Sequence, residues 1–420
     1  MFNLKDKIAL VYDWSTFFPL AQKLSHEFKE VWYFCPRESN YATIERARIG
    51  YGYPNIRVVD EDDVHLNLDK FGLIVFPDVG DGGLAKKWSM DGLPVVSSKM
   101  GEKLENDRLY FKKRAKEIGL NVNPYESFTD IDDLIEYLKP RENLYVKISY
   151  FRGERESFHF ENWKKSERDL IDLSHKLGIF RHHFDEFIVE EPIKSKIENG
   201  TDRFFGNGKF LRYGLMGFEE KNQCYICKVV DENEIPEDLK KIDDKLAILY
   251  KEFDVCSPVS TEVRWPKKGH GVPIDETLRF GYPPLHSMMT AFGNMGEILY
   301  GMAHNKEVDQ EVDYKYVVEL IMSSSEAGTD PLPVDYPKEY EDNIWLKSPC
   351  KVDGQHYVIP IDHSTVVGGV SVGADSLEDA IAECKEIASQ VKAPGLYYDE
   401  KSFDRALDQL KEAKKLDVGF

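Results

Sequence analysis

Two short stretches joined by a turn decide the fold of this chain. They read Thr261-Glu262-Val263-Arg264-Trp265 and Pro273-Ile274-Asp275-Glu276-Thr277-Leu278-Arg279-Phe280-Gly281-Tyr282-Pro283. The residues between them, rich in Lys and Gly, are typical of a turn, so the pair is predicted to form a hairpin. Side chains alternate along a strand, which puts Asp275, Thr277 and Arg279 on one side of the second stretch. Across the hairpin, Glu262 and Arg264 should lie near the same place.

Two carboxylates, a hydroxyl and a guanidinium would then meet at one site. Magnesium takes few protein carboxylates and completes its shell with water and phosphate oxygens. Arginine binds the remaining phosphate charge as a planar fork. The spacing alone leaves a second interpretation open, in which the hairpin is solvated and carries cross-strand ion pairs.

Residues 275–283 resemble the acid-x-Asn-x-Arg-Phe-Gly-Asp-Pro segment of the phosphoribosylamine–glycine ligase family, which belongs to the ATP-grasp superfamily. The resemblance implies metal ligands at Glu262, Asp275 and Thr277. It also implies that Arg279 stabilises an acylphosphate or a carboxylate. Thr277 stands where the family has Asn, which keeps an oxygen ligand but shortens its reach.

The composition excludes several classes of protein. The chain has 420 residues, enough for two to four domains, and a formal charge of −20 with a pI of about 5.1. This acidity disfavours nonspecific binding to nucleic acid polymers and to anionic membranes. No apolar run approaches the roughly 20 residues of a membrane span, and no signal-peptide core begins the chain. We therefore expect a cytoplasmic protein with small-molecule partners, either a monomer or a homodimer.

The cysteines are scattered, which is typical of a reduced compartment. The pair Cys224 and Cys227 has the spacing of half a metal site, but no second pair accompanies it. We interpret both side chains as strand packing rather than as a zinc or redox site.

Near the N-terminus, short apolar runs alternate with helical patterns, the first run being residues 7–12. This alternation predicts a Rossmann-like layered sheet. No G-x-G-x-x-G motif follows the first strand, whereas the resembled family has a glycine-rich turn there that holds a phosphoribosyl group. Asp13 follows instead, and a carboxylate at a helix start would repel phosphate.

Three cationic residues are predicted to bind the nucleotide phosphates. Residues 105–108 are similar to the family's Glu-Gly-Ser-Lys segment, which puts Arg108 at the position of its phosphate-contacting Lys. Lys147 matches a phosphate-binding Lys on a strand, and the loop that follows, with Arg152, would cover the triphosphate. From the residues alone, Arg108 could equally be a helix-surface Arg paired with an acid, and Lys147 a surface Lys on an edge strand.

Residues 187–193 resemble the family's adenine hinge, in which backbone groups bind the base. The resemblance assigns Glu190, Glu191 and Ile193 to this hinge. It assigns Glu198 to the ribose hydroxyls or to the metal. The alternative is a buried strand that ends in a charged turn.

Residues 284–303 carry an apolar stripe at helical spacing, and His286 comes soon after the predicted metal-binding strand. His286 either approaches the substrate or is a structural histidine.

The last part of the chain, with a glycine-rich strand and a helix at 368–380, resembles the family's small C-terminal domain.

The predicted fold is α/β with an α+β core: an ATP-grasp fold with a Rossmann-like N-terminal domain and a small C-terminal α/β domain. The predicted boundaries are 1–100, 101–311 with a lid at about 120–190, and 312–420. We expect an ATP-dependent, ADP-forming carboxylate–amine ligase of purine biosynthesis or a divergent relative, with ATP and Mg²⁺ (or Mn²⁺). Arg279 and Lys147 would be catalytic. The alternatives are a noncatalytic nucleotide-binding protein and a phosphotransferase on the same fold.

Overall fold

The computed structural model describes residues 2–36, 48–148, 157–177, 187–328, 330–361 and 364–420. The predicted loop with Arg152 lies outside these residues. No helix within them is both long and apolar enough to cross a membrane.

The first 100 residues form a parallel sheet with helices on both faces. Its strands are β1 (Ile8–Tyr12), β2 (Glu30–Phe34), β3 (Ile56–Val59), β4 (Phe71–Val75) and β5 (Val95–Val96), in the order β3-β2-β1-β4-β5. The helices are α1 (Phe18–Ser25), α2 (Glu61–His65) and α3 (Gly82–Met90). Because side chains alternate along β1, Ala9 and Val11 pack in one core and Leu10 and Tyr12 in another. The predicted layered sheet is confirmed.

Two helices, α4 (Lys103–Asn106) and α5 (Arg108–Glu117), lead from this sheet to a four-stranded antiparallel sheet. The carboxylate of Asp107 caps α5 by accepting a hydrogen bond from the amide of Tyr110 at 2.8 Å. The second sheet contains β6 (Tyr125–Phe128), β7 (Glu142–Ile148), β8 (Ser157–Asn162) and β9 (Phe187–Glu190), in the order β6-β9-β7-β8. Helices α6 (Ile131–Leu138) and α7 (Trp163–Leu177) share its apolar core.

A nine-stranded sheet occupies the centre of the molecule. Its first five strands are β10 (Glu198–Gly206), β11 (Lys209–Glu220), β12 (Cys224–Asp231), β13 (Ser257–Arg264) and β14 (Val272–Thr277). Helix α8 (Glu237–Glu252) packs against β11. The later strands β15 (Tyr316–Ser324), β17 (Ile344–Leu346), β20 (Val366–Ala374) and β21 (Leu396–Tyr397) continue the same sheet. Since β12 pairs with β15, the sheet is continuous across residue 311; the predicted domain boundaries stay a prediction.

The remaining elements cover this sheet. A three-stranded sheet is built from β16 (Leu332–Val334), β18 (Pro349–Val352) and β19 (Gln355–Val358). Helices α11 (Leu377–Gln390) and α12 (Ser402–Lys415) pack on β15, β20, β11 and β12. Cys224 and Cys227 both lie in β12, and they are buried in two different cores on opposite faces. The strand-packing interpretation of this pair is confirmed.

Residues 284–303 are largely helical, as their spacing predicts, with a break at Phe292. The structure has two helices, α9 (Pro284–Ala291) and α10 (Met295–Ala303). Phe292 between them is extended and forms a β-bridge with Val312, and the amide of Gly293 donates to the carbonyl of Glu311 at 3.0 Å. The apolar stripe continues because both helices have buried faces. The helix is interrupted at Phe292 and Gly293, whose backbone pairs with Glu311 and Val312 instead.

Candidate functional site

A cleft of about 430 Å³ opens between the four-stranded sheet and the edge of the central sheet formed by β14, β13 and β10. All the predicted site residues that the structure describes line it. They are Arg108, Lys147, Glu190, Glu191, Ile193, Glu198, Glu262, Asp275, Thr277 and Arg279. Residues that lie between 108 and 279 in sequence therefore converge on one place, although their separate roles stay predictions.

The hairpin of β13 and β14 provides the centre of the cleft. Glu262 and Asp275 are direct partners in its register, and Thr277 follows Asp275 on the same face. Glu276 points the other way and is buried, where the hydroxyls of Tyr250 and Thr261 donate to its carboxylate. The alternation predicted from the sequence is confirmed.

Arg264 lies in the cleft but binds a different acid. Its Nε donates to Glu198 Oε2 at 2.7 Å, so the cross-strand pair on this side joins β13 to β10. Glu198 thus has a cationic partner before any ligand binds. This ion pair lies outside the β13–β14 hairpin, so it is not the pair across the hairpin that the alternative interpretation predicted.

The carboxylates in the cleft crowd one another. Burial raises the pKa of Glu262 well above its usual value, and the nearby charges of Glu198, Asp275 and Glu219 add to the effect. Burial, with a contribution from Glu198, raises the pKa of Glu219 to about 8. Burial also acts on Asp275, but Arg108 and Lys147 outweigh it and lower the pKa of that carboxyl. Added positive charge here would relieve the repulsion.

The donor set fits magnesium better than a soft metal. No three of the described His, Cys, Asp and Glu side chains are grouped closely enough to hold a metal by themselves. Glu262, Asp275 and Thr277 together offer two carboxylates and a hydroxyl. Mg²⁺ commonly binds through one or two carboxylates and takes its other ligands from water and substrate phosphates.

Lys147 lies opposite these acids on β7. This strand pairs with β9 on one side and β8 on the other, so Lys147 is not on an edge strand, and its side chain is only 13% exposed. Its Nζ lies 3.3 Å from Glu190 Oε2 and donates to the carbonyl of Ile274 at 3.2 Å. The alternative of a surface lysine is wrong.

Lys112, which sequence reasoning missed, completes this cluster. It forms a buried ion pair with Glu190. Burial raises the pKa of Glu190, but Lys147 and Lys112 outweigh it and the net shift is downward. Lys112 lies four residues after Arg108, one turn along α5, so helical spacing from Arg108 was a signal for it. Two lysines and one carboxylate leave net positive charge beside the cleft.

Arg108 begins α5 and is almost completely buried, so it is not a helix-surface arginine. One of its terminal nitrogens lies 3.3 Å from Asp275 Oδ2. It therefore links the predicted phosphate-binding cations directly to the predicted metal ligands.

Arg279 lies past the end of β14 between two carboxylates. Its Nε is 2.9 Å from Glu105 Oε1 and 3.2 Å from Asp78 Oδ1. Burial works to lower the pKa of Arg279, but the two acids outweigh it, so the guanidinium stays charged. Glu105 also accepts a hydrogen bond from the amide of Leu278 at 2.9 Å. The position of Arg279 is thus fixed by the parallel-sheet region and by α4.

The predicted hinge follows β9. Glu191 is exposed, and its carbonyl accepts a hydrogen bond from Asn123 Nδ2 at 2.7 Å. The carbonyl of Ile193 accepts one from the amide of Ser195 at 2.8 Å. These two contacts position the backbone of Glu191 and Ile193 at the wall of the cleft. The side chain of Glu190 instead forms ion pairs with Lys112 and Lys147.

Several further lining residues were not among the predicted site residues, although Ile274, Gly281 and Tyr282 lie within the stretch 273–283. They are Asn123, Tyr145, Ser157, Glu219, Lys221, Asn222, Ser260, Ile274, Gly281, Tyr282 and Pro284. Glu219 and Lys221 are at the end of β11, two strands from β13, and only the sheet order brings them to the cleft.

His286 is a structural residue. It is 1% exposed, its ring stacks on Trp345 at 3.7 Å, and its Nδ1 lies 3.0 Å from Glu319 Oε1. These contacts hold α9 against β15 and β17. His286 is not among the described residues that line the cleft.

No protein-family model and no curated protein sequence matches the chain. Solved structures do match it over nearly its whole length. Phosphoribosylamine–glycine ligase from Thermotoga maritima superposes with a TM-score of 0.71 at 12% identity, covering 93% of this chain and 98% of that one. The chain has the ATP-grasp fold.

Two other ATP-grasp structures agree. The biotin carboxylase domain of 2-oxoglutarate carboxylase from Hydrogenobacter thermophilus, in complex with MgADP and bicarbonate, has a TM-score of 0.69 at 13% identity and covers 98% of each chain. L-amino acid ligase from Bacillus licheniformis has a TM-score of 0.60 at 16% identity, covering 94% of this chain and 99% of that one. The predicted fold class is confirmed; at these identities the likeness concerns the fold.

Proposed function

We propose that this protein is an ATP-dependent, ADP-forming ligase that joins a carboxylate to an amine. One observation carries the proposal: Arg108 and Lys147 face the paired acids Glu262 and Asp275 within one cleft of an ATP-grasp fold. Phosphoryl transfer needs cations around the phosphates and acids for the metal, and it needs no protein nucleophile. The fold neighbours named as ligases support this reaction class.

The nucleotide would lie between the hinge and the hairpin. The backbone of Glu191 and Ile193 would bind the base. Lys147 and Lys112 would provide positive charge for the phosphates. Glu198 is placed for ribose hydroxyls, although ligand binding would then compete with its ion pair to Arg264. Arg108 would neutralise a phosphate oxygen near Asp275.

Glu262, Asp275 and Thr277 would hold Mg²⁺ or Mn²⁺, which supplies neutralisation of the phosphate charge when bound. Asp275 is kept ionised by Arg108 and Lys147, so it offers a ready anionic ligand. The chain thus provides acids for the metal ion and cations for the triphosphate, and a metal–triphosphate complex needs both.

The reaction would take place at the Arg279 end of the cleft. The substrate carboxylate attacks the γ-phosphorus of ATP, which forms an acylphosphate and releases ADP. The amine then attacks the acyl carbon and phosphate leaves. Arg279, held by Glu105 and Asp78, can orient the carboxylate and stabilise the charge that develops on it. An amino acid such as glycine is the proposed carboxylate substrate.

The test is ADP release from Mg-ATP with pairs of amino acids and amines, including glycine with freshly made phosphoribosylamine. Turnover that needs both an acid and an amine supports the proposal, and a requirement for phosphoribosylamine would support a role in purine biosynthesis. ADP release that needs only one acceptor would indicate the alternative phosphotransferase. Failure of Mg-ATP to change the melting temperature would overturn the nucleotide site. Small-molecule partners and a cytoplasmic location belong to the same proposal.

A further inference from the structure

Ser260 lines the cleft near the end where the reaction is proposed to occur. In the register of the central sheet, Ser260 of β13 pairs with Thr277 of β14 on one side and with Asp202 of β10 on the other. Arg279 follows shortly after Thr277, whereas Arg264 lies at the opposite end of β13. Among the residues of β13 that line the cleft, Ser260 is therefore the nearest to the place proposed for the acyl group.

Asp202 lies directly behind Ser260. It is 4% exposed, and it accepts a hydrogen bond from Ser260 Oγ at 2.5 Å and another from the hydroxyl of Tyr225. Among the described residues, it forms no ion pair with a lysine, arginine or histidine, and Asp243 adds a like charge nearby. Burial raises the pKa of Asp202 to about 6, so this carboxylate is unusually basic and is still ionised at neutral pH.

The other carboxylates of the cleft have different partners or positions. Four of them form ion pairs, namely Glu105, Glu190, Glu198 and Asp275. Glu262 is a predicted metal ligand, and Glu191 is exposed at the hinge. Glu219 lies farther along β11, because the residue of β11 that pairs with Asp202 is Leu215. Asp202 is thus the carboxylate without a cationic partner that lies closest to the reacting end.

The second step of the proposed reaction needs a proton acceptor. An amine that attacks an acylphosphate must lose a proton, and a side chain placed to take it contributes roughly 10²–10⁴-fold to the rate. The hydroxyl of Ser260 donates its own proton to Asp202, so its oxygen has lone pairs left to accept a proton from the cleft.

We propose that Ser260 and Asp202 together take the proton that the attacking amine loses. This inference rests on the proposed ligase function and adds the residues of its second step. The lone pair of the nitrogen forms the C–N bond, and the bond between the acyl carbon and the phosphate oxygen breaks, with its electron pair leaving on phosphate. One proton passes from the nitrogen to Ser260 Oγ, while the proton of Ser260 passes to Asp202 Oδ1. The departing phosphate can then receive the proton by the same path.

The experiment compares nucleophiles that differ in their need for a base. Amino acids are supplied with Mg-ATP near neutral pH, together with hydroxylamine, which is largely unprotonated there, or with ammonia, methylamine or ethanolamine, which are largely protonated. The proteins are the wild type, Asp202→Asn, Ser260→Ala and the conservative variant Ser260→Thr, which keeps a hydroxyl. Hydroxamate and amide products are measured separately by mass spectrometry.

The ratio of the two products is the deciding measurement. Asp202→Asn and Ser260→Ala should form hydroxamate within about threefold of the wild-type rate but amide about 100-fold more slowly. Ser260→Thr should form amide within about tenfold of the wild-type rate. A purely structural role for these residues would lower both products by the same factor. If Asp202→Asn does not fold, Ser260→Ala decides, because it removes only a partly buried hydroxyl.

The outcomes separate this inference from the proposed function. If no amino acid gives hydroxamate with the wild type, the proposed function fails, and this inference fails with it. If hydroxamate forms but the ratio of amide to hydroxamate is the same in the wild type and the two variants, the roles given to Ser260 and Asp202 are overturned. The absence of amide in all the proteins overturns them as well.

Discussion

Glu262 and Asp275 face each other across the β13–β14 ladder, and their carboxyl groups differ in the direction of their pKa shifts. Glu262 is partly buried beside other acids, which raises the pKa of its carboxyl and favours the protonated form. Asp275 lies 3.3 Å from Arg108 and stays ionised. A directly opposed pair of like charges is unfavourable in a bare sheet, and a bound cation would change this balance.

Replacing Asp275 by Asn should lower the rate of ADP release by about 100-fold or more, because the charged metal ligand is lost and the charge opposite Arg108 is removed. The rate is measured at saturating Mg-ATP once a substrate pair is known; before that, the change in melting temperature with Mg-ADP is compared. Asp244→Asn, which alters an exposed carboxylate of α8 paired with Lys240, is the control. Equal activity of Asp275→Asn and the control would contradict the site.

Replacing Lys147 by Met should weaken ATP binding by about tenfold or more, since a charge-assisted contact to phosphate is removed from a largely buried position. The same change leaves Glu190 with Lys112 as its cationic partner. ATP affinity is measured by calorimetry. Lys139→Met is the control, because this exposed lysine pairs with Glu136 in the same part of the molecule and such pairs contribute little. A tenfold loss in both variants would indicate a general defect.

Replacing Arg279 by Lys should raise the KM for the carboxylate substrate by about tenfold and leave ATP affinity within about twofold of the wild type. Lysine keeps the charge, but it lacks the planar group that Glu105 and Asp78 hold. Steady-state kinetics with ATP and carboxylate varied separately give both values. Arg212→Lys, at an exposed ion pair with Asp231, should change neither. An effect on ATP alone would place Arg279 in the nucleotide site instead.

The pH dependence of stability should differ between the wild type and Asp13→Asn. Burial raises the pKa of Asp13 to about 6, so between roughly pH 4 and 6 the folded protein binds a proton that the unfolded chain has released. Stability from this group therefore falls as the pH rises through that range. A shift of about two units corresponds to about 3 kcal/mol. Asn does not titrate, so the wild type should lose stability relative to the variant by up to that amount.

Urea unfolding of both proteins at about pH 4.5, 5.5 and 7 checks this expectation. Tryptophan fluorescence reports on the parallel sheet together with the rest of the chain, because three of the six tryptophans, Trp14, Trp32 and Trp88, lie in or beside that sheet. A difference in midpoint that stays constant over the three pH values would show that Asp13 does not titrate with a raised pKa.

Much of the site was predictable because strand alternation is a local property. The pleat fixes which side chains share a face, so Asp275 and Thr277 had to lie together once β14 formed. The alternating strands and helices of the first 100 residues likewise follow from local apolar runs and give the layered sheet. The resemblance of residues 275–283 to a known motif predicted the ATP-grasp fold, and the superpositions confirm that fold.

Only the tertiary structure decided which distant groups meet. Arg264 binds Glu198 because β13 pairs with β10, and Lys147 is buried because β7 lies between β8 and β9. The carboxylate of Glu102 accepts hydrogen bonds from the amides of Gly80 and Gly82, because the chain returns to that loop after β5. Partner choice across a sheet or between loops depends on register and strand order, which are set by the packing of the whole core. The local pattern of residues therefore determined which side chains share a face of a strand. The long-range pairing of strands and loops determined which distant side chains contact each other.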